Sequence, residues 1–205
     1  MDFLTLAIIV TTVLFVLKKQ EQRQHTQLLG QHLSSFQIEK LMANLMEGYL
    51  RVLGEPDAQR RDQIWPVLEN TESSLVSQFQ RFADEFATLP AEQTRASTLP
   101  LALPYMTRVL PSATLDVREA MKLHAKAMAA ARVGDATDEE ERKRRAFTMT
   151  AELMLMQHTC HWFCKSRTVA SLRLVARHKT PYEQVLQSIA PATLKAYEKL
   201  VHARS

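Results

Sequence analysis

The sequence predicts an all-α protein: an N-terminal single transmembrane helix, then a stalk, then an antiparallel helical bundle. Three observations carry this reading. The run Phe3–Leu17 contains no charged residue, the mark of a membrane-spanning or deeply buried helix. Leu, Ala, Gln, Glu, Lys, Arg and Met dominate the remainder and only four glycines occur, which favours helix by intrinsic propensity. Apolar residues then recur in steps of four and three along most of the chain, the period of a helix packing on another helix. The expected organisation is an anchor over residues 1–19, a helical stalk over 20–35, and a cytoplasmic bundle over 36–205 with a proline-rich loop at 90–113.

The anchor is short. Fifteen residues at about 1.5 Å each span some 22 Å of a hydrocarbon core roughly 30 Å thick, and snorkelling of Lys18 and Lys19 extends the reach. Thr5, Thr11 and Thr12 are its only polar residues, and threonine hydroxyls can bond back to the preceding turn. A cleaved signal peptide would have a basic n-region and a small-residue cleavage site. Here Asp2 is the only charge before the run, and the sequence after it, VLKKQEQRQ, offers no A-x-A. The positive-inside rule reads Lys18, Lys19 and Arg23 as cytoplasmic, leaving the N-terminus outside. A bacterial inner membrane and a mitochondrial outer membrane both suit such an anchor.

After the anchor, residues 18–53 read as one helix. Its first part, KKQEQRQHTQ, is polar all round and reads as solvated. Leu29, Leu33 and Phe36 follow, then the stripe Ile38, Met42, Leu45, Tyr49 and Val52, closed by Gly54 and Pro56. A second helix runs from about Asp57 to Leu89 with Ile64, Leu68, Leu75, Phe79, Phe82 and Phe86 inward. Pro66 predicts a kink or break near Trp65. Residues 90–113 carry prolines at 90, 100, 104 and 111, so an irregular connection is expected. Its Leu99, Leu101, Leu103, Tyr105 and Met106 read either as part of a linker or as a surface covered by a partner.

The third helix has Thr114 or Asp116 as its cap and Gly134 as its stop, with Val117, Met121, His124, Met128 and Ala131 in its seam. The fourth opens with a capping box, Thr137 and Glu140. Three pairs support its first turns: Glu139–Lys143, Glu140–Arg144 and Glu141–Arg145. Its seam, Met149, Leu153, Met156, Cys160, Phe163, Arg167, Ala170 and Leu174, continues without a stop. Leu155, Trp162 and Val169 line the opposite face, so this helix should be the central one. Thr180, Pro181 and Glu183 start a short helix, and another follows Pro191.

The densest chemistry lies in MQHTCHWFCK, residues 156–165. The seam position of Cys160 reads it as a small core hydrophobe beside Cys164. The alternative is a cytoplasmic thiol or metal sensor built on Cys160, His161 and Cys164, with His124 as the ligand from a second helix. Two cysteines four residues apart on one helix make a poor disulfide. Arg167 and His124 are polar groups in apolar seams, and Glu119 or Glu152 could pair with the arginine.

Nothing else reads as catalysis. The chain has no glycine-rich phosphate loop, nucleophile elbow, HExxH or paired CxxC, so no enzyme and no cofactor are expected. The formal charge is +4, concentrated toward the C-terminus. Lys165, Arg167, Arg173, Arg177 and Lys179 scatter around their helix rather than forming a stripe, so no nucleic acid is expected. The expected function is that of a non-enzymatic, membrane-anchored scaffold, adaptor or accessory subunit. It would touch the membrane through residues 3–17 and another protein chain, its own copy or a different one, through Leu101, Leu103, Tyr105 and Met106.

Overall fold

The computed structural model describes residues 2–99, 103–136 and 138–202. Among them the chain is all-α, with nine helices and one two-stranded sheet. Helix α1, Phe3–Leu33, is continuous from the apolar run into the body. The single long helix expected over 18–53 is broken: residues 34–37 interrupt it, and α2 begins at Ile38 and ends at Gly54. Ser34 turns its hydroxyl onto the Gln31 carbonyl at 2.7 Å, the local competition with helix that serine offers. All five residues of the expected α2 stripe are buried.

Helix α3, Ala58–Ala87, is capped by Asp57, whose side chain accepts the Gln59 N–H at 2.9 Å. Its helical run passes through Pro66 unbroken. Proline strips the Asp62 carbonyl of its donor, but both residues face solvent, where an unpaired carbonyl costs little. Helices α2 and α3 approach closely at Gly48, where an added Cβ would lie 2.3 Å from a Leu68 methyl.

The irregular stretch holds a single 3-10 turn at Ala91–Gln93 and a small sheet. Strand β1, Arg95–Ser97, pairs antiparallel with β2, Thr114–Asp116, matching Ala96 to Leu115. Between them lies the one-turn helix α4, Met106–Val109. Strands of three residues are too short to show alternation, so this pairing is absent from the sequence expectation. Asp116, not Thr114, caps α5, Val117–Ala130, by accepting the Arg118 N–H at 3.0 Å. The helix stops before Gly134, which sits in a 3-10 turn, Val133–Asp135.

Helix α6, Glu139–Cys164, is capped by Asp138; Thr137 of the expected capping box lies outside the described residues. Of the three expected acid–base pairs only Glu141–Arg145 forms, at 2.9 Å. Glu139 instead reaches Arg61, at 3.1 Å. Helix α6 is buried on both faces and packs against α1, α2 and α5. The expected run through Leu174 is in fact two helices. Ser166 breaks it and caps α7, Arg167–His178, by accepting the Val169 N–H at 3.2 Å. Helix α7 folds back along α6, as the pairs His161–Arg173 and Gln157–His178 show. Helices α8, Tyr182–Ser188, and α9, Pro191–His202, close the bundle. Thr180 does not cap α8; its hydroxyl turns back to the His178 carbonyl at 3.0 Å.

Candidate functional site

The features that bear on function begin where α1 leaves its apolar run. Phe3, Leu4, Leu6, Ile8, Ile9 and Val10 are exposed, and Thr11 and Thr12 return their hydroxyls to the Ala7 and Ile8 carbonyls at 2.8 Å. By length and composition this helix can cross a membrane. Its second half is not the solvated stalk that its polarity predicts. Glu21 is buried, ion-paired to Lys18 at 2.7 Å and accepting the Tyr105 N–H at 3.1 Å. His25 donates from Nδ1 to the Phe163 carbonyl at 2.9 Å and stacks on the Phe163 ring at 4.3 Å. Leu29 joins the hydrophobic core. Polar residues are buried here through polar contacts, which hydropathy does not register.

The structure describes three of the four loop residues expected to bind a partner. Leu101 lies outside the described residues. Leu103 is 42% exposed, and its carbonyl accepts from the Lys18 ammonium at 3.4 Å. Tyr105 adopts the left-handed region at φ 54° and lies under the Arg108 guanidinium at 5.1 Å, a conformation that tyrosine holds only when its surroundings impose it. Met106 is half-buried. With Leu103, Lys18, His25 and Trp162 it lines a cavity of about 30 Å³.

Cys160, His161 and Cys164 line a groove of about 400 Å³ between α1, α2, α6 and α7. The Cys160 thiol lies 3.8 Å from the Met156 sulfur. Burial pushes both thiols above the ordinary cysteine range, the opposite of the depression that makes a thiolate nucleophile. His161 Nδ1 accepts from the Arg173 guanidinium at 3.0 Å. His124 is not brought to them. It is fully buried between α5 and α6, with Nε2 2.9 Å from the Thr159 hydroxyl. Among the described residues no group of three or more His, Cys, Asp or Glu is placed to hold a metal ion. The groove has an apolar floor, including Leu29, Ile38 and Met42, and a rim of Lys165, Arg173 and Arg177 with Glu39.

Arg167 finds neither Glu119 nor Glu152. Its guanidinium sits 5.4 Å from the Trp162 ring and 5.4 Å from the Tyr182 ring. Glu119 is exposed beside Lys122 at 3.2 Å. Glu152 is buried and accepts the Ala190 N–H at 3.1 Å. His158 stacks on Tyr182 at 4.3 Å and meets the Ser171 hydroxyl at 3.0 Å. Desolvation holds both His124 and His158 down to about 3, so both are neutral. A third buried carboxylate, Glu72, clasps three elements: it accepts from the Tyr49 hydroxyl, the Val133 N–H at 2.9 Å and the Gly134 N–H.

One surface departs from the sequence expectation: Val169, read as lining a packed face with Leu155 and Trp162, is exposed. Val169, Leu172 and Val175 recur every three residues on α7, opposite the buried Ala170 and Leu174. Leu172 is 65% exposed. Arg173 and Arg177 flank this stripe, and among the described residues neither has a carboxylate partner at ion-pair distance. Comparison with protein-family models, curated proteins and solved structures finds no match to this chain.

Proposed function

We propose that this protein is a non-enzymatic, membrane-anchored helical adaptor, an accessory subunit that holds another protein chain at a membrane surface. The observation that carries the reading is the divided character of α1. Its first half leaves every large apolar side chain from Phe3 to Val10 exposed, while its second half is built into the bundle through Glu21, His25 and Leu29. A helix with bare apolar flanks needs a lipid or protein environment. The following Lys18, Lys19 and Arg23 orient it with the body in the cytoplasm.

The protein-contact surface in this reading is α7, whose apolar stripe is more exposed than the half-buried Tyr105 and Met106. Its exposed Val169–Leu172–Val175 stripe, flanked by Arg173 and Arg177, fits a partner helix with an apolar edge bordered by carboxylates. Full-length protein should float with membranes and resist carbonate extraction. A photo-crosslinker replacing Leu172 should give one discrete adduct in cells, lost in Arg173→Glu/Arg177→Glu protein at unchanged melting temperature. Recovery in the soluble fraction would end the anchor reading. A membrane-bound protein that yields no adduct would end the adaptor reading while leaving the anchor intact.

A further inference from the structure

The loop after β1 meets α1 at a level that the anchor itself defines. Lys18 ties the two together. Its ammonium reaches the Leu103 carbonyl at 3.4 Å and the Glu21 carboxylate at 2.7 Å, and Glu21 accepts the Tyr105 N–H at 3.1 Å. Leu17 is the last residue of the charge-free run. At about 1.5 Å per residue, positions 18–21 lie within about 6 Å of its end along the helix axis. The polar headgroup region of a bilayer is about 5–8 Å deep on each side. If α1 crosses a membrane, Leu103 therefore lies inside that layer, although the fold leaves its side chain 42% exposed.

The surroundings fit lipid. Lys19 and Lys165 lie at the same end of the body, Lys165 through the contact of its carbonyl with the Gln22 amide at 3.5 Å. Among the described residues neither lysine is ion-paired to a carboxylate. Tyr105, beside Leu103, is of the residue type that settles at membrane–water boundaries. Leu103, with Val109 and Leu110 of the same loop also exposed, is a small surface beside the many residues a side of a specific protein interface, and it is enough to seat a loop in lipid already at contact distance.

We propose that Leu103 inserts at the headgroup–acyl boundary of the same bilayer that α1 crosses. Lys19 and Lys165 face anionic headgroups beside it. The body then has two lipid contacts, the anchor and this loop, and the Lys18–Glu21–Tyr105 clamp holds them at a fixed spacing. This inference rests on the anchor reading above.

The test uses the full chain reconstituted in phosphatidylcholine–phosphatidylglycerol vesicles. Leu103→Trp carries the probe, and Leu172→Trp on α7 is the control. The native Trp65 and Trp162 are buried and are subtracted as the unsubstituted protein. Lipids brominated high on their acyl chains should quench and blue-shift the added emission at position 103, and leave that at position 172 unquenched. Leu103→Trp emission that stays unquenched in protein that floats with the vesicles overturns the loop contact and leaves the anchor standing. A blue shift without quenching means that protein, a second copy, covers the site, and it also overturns the proposal. Failure of either protein to float overturns the anchor reading itself.

Discussion

Glu72 should be the most sensitive single position in the body. Its carboxylate is fully buried and accepts from the Tyr49 hydroxyl of α2, from the Val133 N–H and from the Gly134 N–H. Tyr49 and Val133 are themselves buried. Glu72→Ala therefore strands two buried donors, at about 1–3 kcal/mol each. The desolvation that raises the pKa of this carboxyl offsets part of that loss. The expected net cost is about 3 kcal/mol, a large share of a typical stability of about 5–15 kcal/mol. Tyr49→Phe leaves the carboxylate with its backbone donors and should cost about 1 kcal/mol. Urea denaturation in detergent micelles, followed by circular dichroism, measures both, provided the slopes stay equal. The pH dependence gives a second reading. A carboxyl whose folded pKa is raised binds its proton more tightly in the folded state. Its contribution to stability is full below the unfolded value of about 4.3 and is lost as pH rises through the raised folded value. Glu72→Gln should remove that decline. Equal midpoints for Glu72→Ala and Tyr49→Phe would refute the idea that one carboxylate clasps α2, α3 and the 133–135 turn.

His124 and His158, neutral and held to about 3, take up protons only on unfolding. Stability should fall as pH drops from about 6.5, by about 1.4 kcal/mol per pH unit for each, and His124→Gln should shallow that slope in acid denaturation. Cys160→Ala should cost about 1 kcal/mol from lost volume, and Cys160→Asp far more from a buried unpaired charge. Metal analysis of tag-free protein completes that test, since stoichiometric zinc or iron lost on changing Cys164 would overturn the packing role. Arg167→Ala should cost about 1–2 kcal/mol by removing a cation lodged between the Trp162 and Tyr182 rings. Arg167→Lys should recover part of it, and thermal melting with tryptophan emission reads both.

The stripes were legible because burial follows period. Val117, Met121, His124, Met128 and Ala131 are read as a seam and all are buried, as are the five positions of α2. Turns that preserve the period were hidden. The apolar step continues through Arg167, Ala170 and Leu174, so nothing in the hydropathy marks the reversal at Lys165–Ser166; only the capping capacity of Ser166 does. Likewise the Ser34–Gln37 break lies between two apolar groups that a single helix would also accommodate. The functional surfaces were the least legible. Glu21 is buried and His25 half-buried by a backbone amide and a backbone carbonyl that are distant in sequence. The Cys160–His161–Cys164 cluster drew attention by composition, although its geometry is that of a groove wall.

The stacking of His25 on Phe163 joins residues 138 positions apart, and this separation sets an order of assembly. The apolar run emerges from the ribosome well before the α6 surface that receives the second half of α1. If α1 crosses a membrane, as proposed, His25, Leu28 and Leu29 wait uncovered beside the bilayer in the interval. A contact so distant along the chain is slow to find by free search. With the proposed anchor in place one end would already be pinned, and α6 would close on a fixed target. A truncation that removes the apolar run but keeps residues 18–33, and with them the Lys18–Glu21 pair, would leave the folded contacts of the body intact and take away the end that the proposed anchor pins. Its cost should therefore appear in the refolding rate and the aggregated fraction rather than in the unfolding rate.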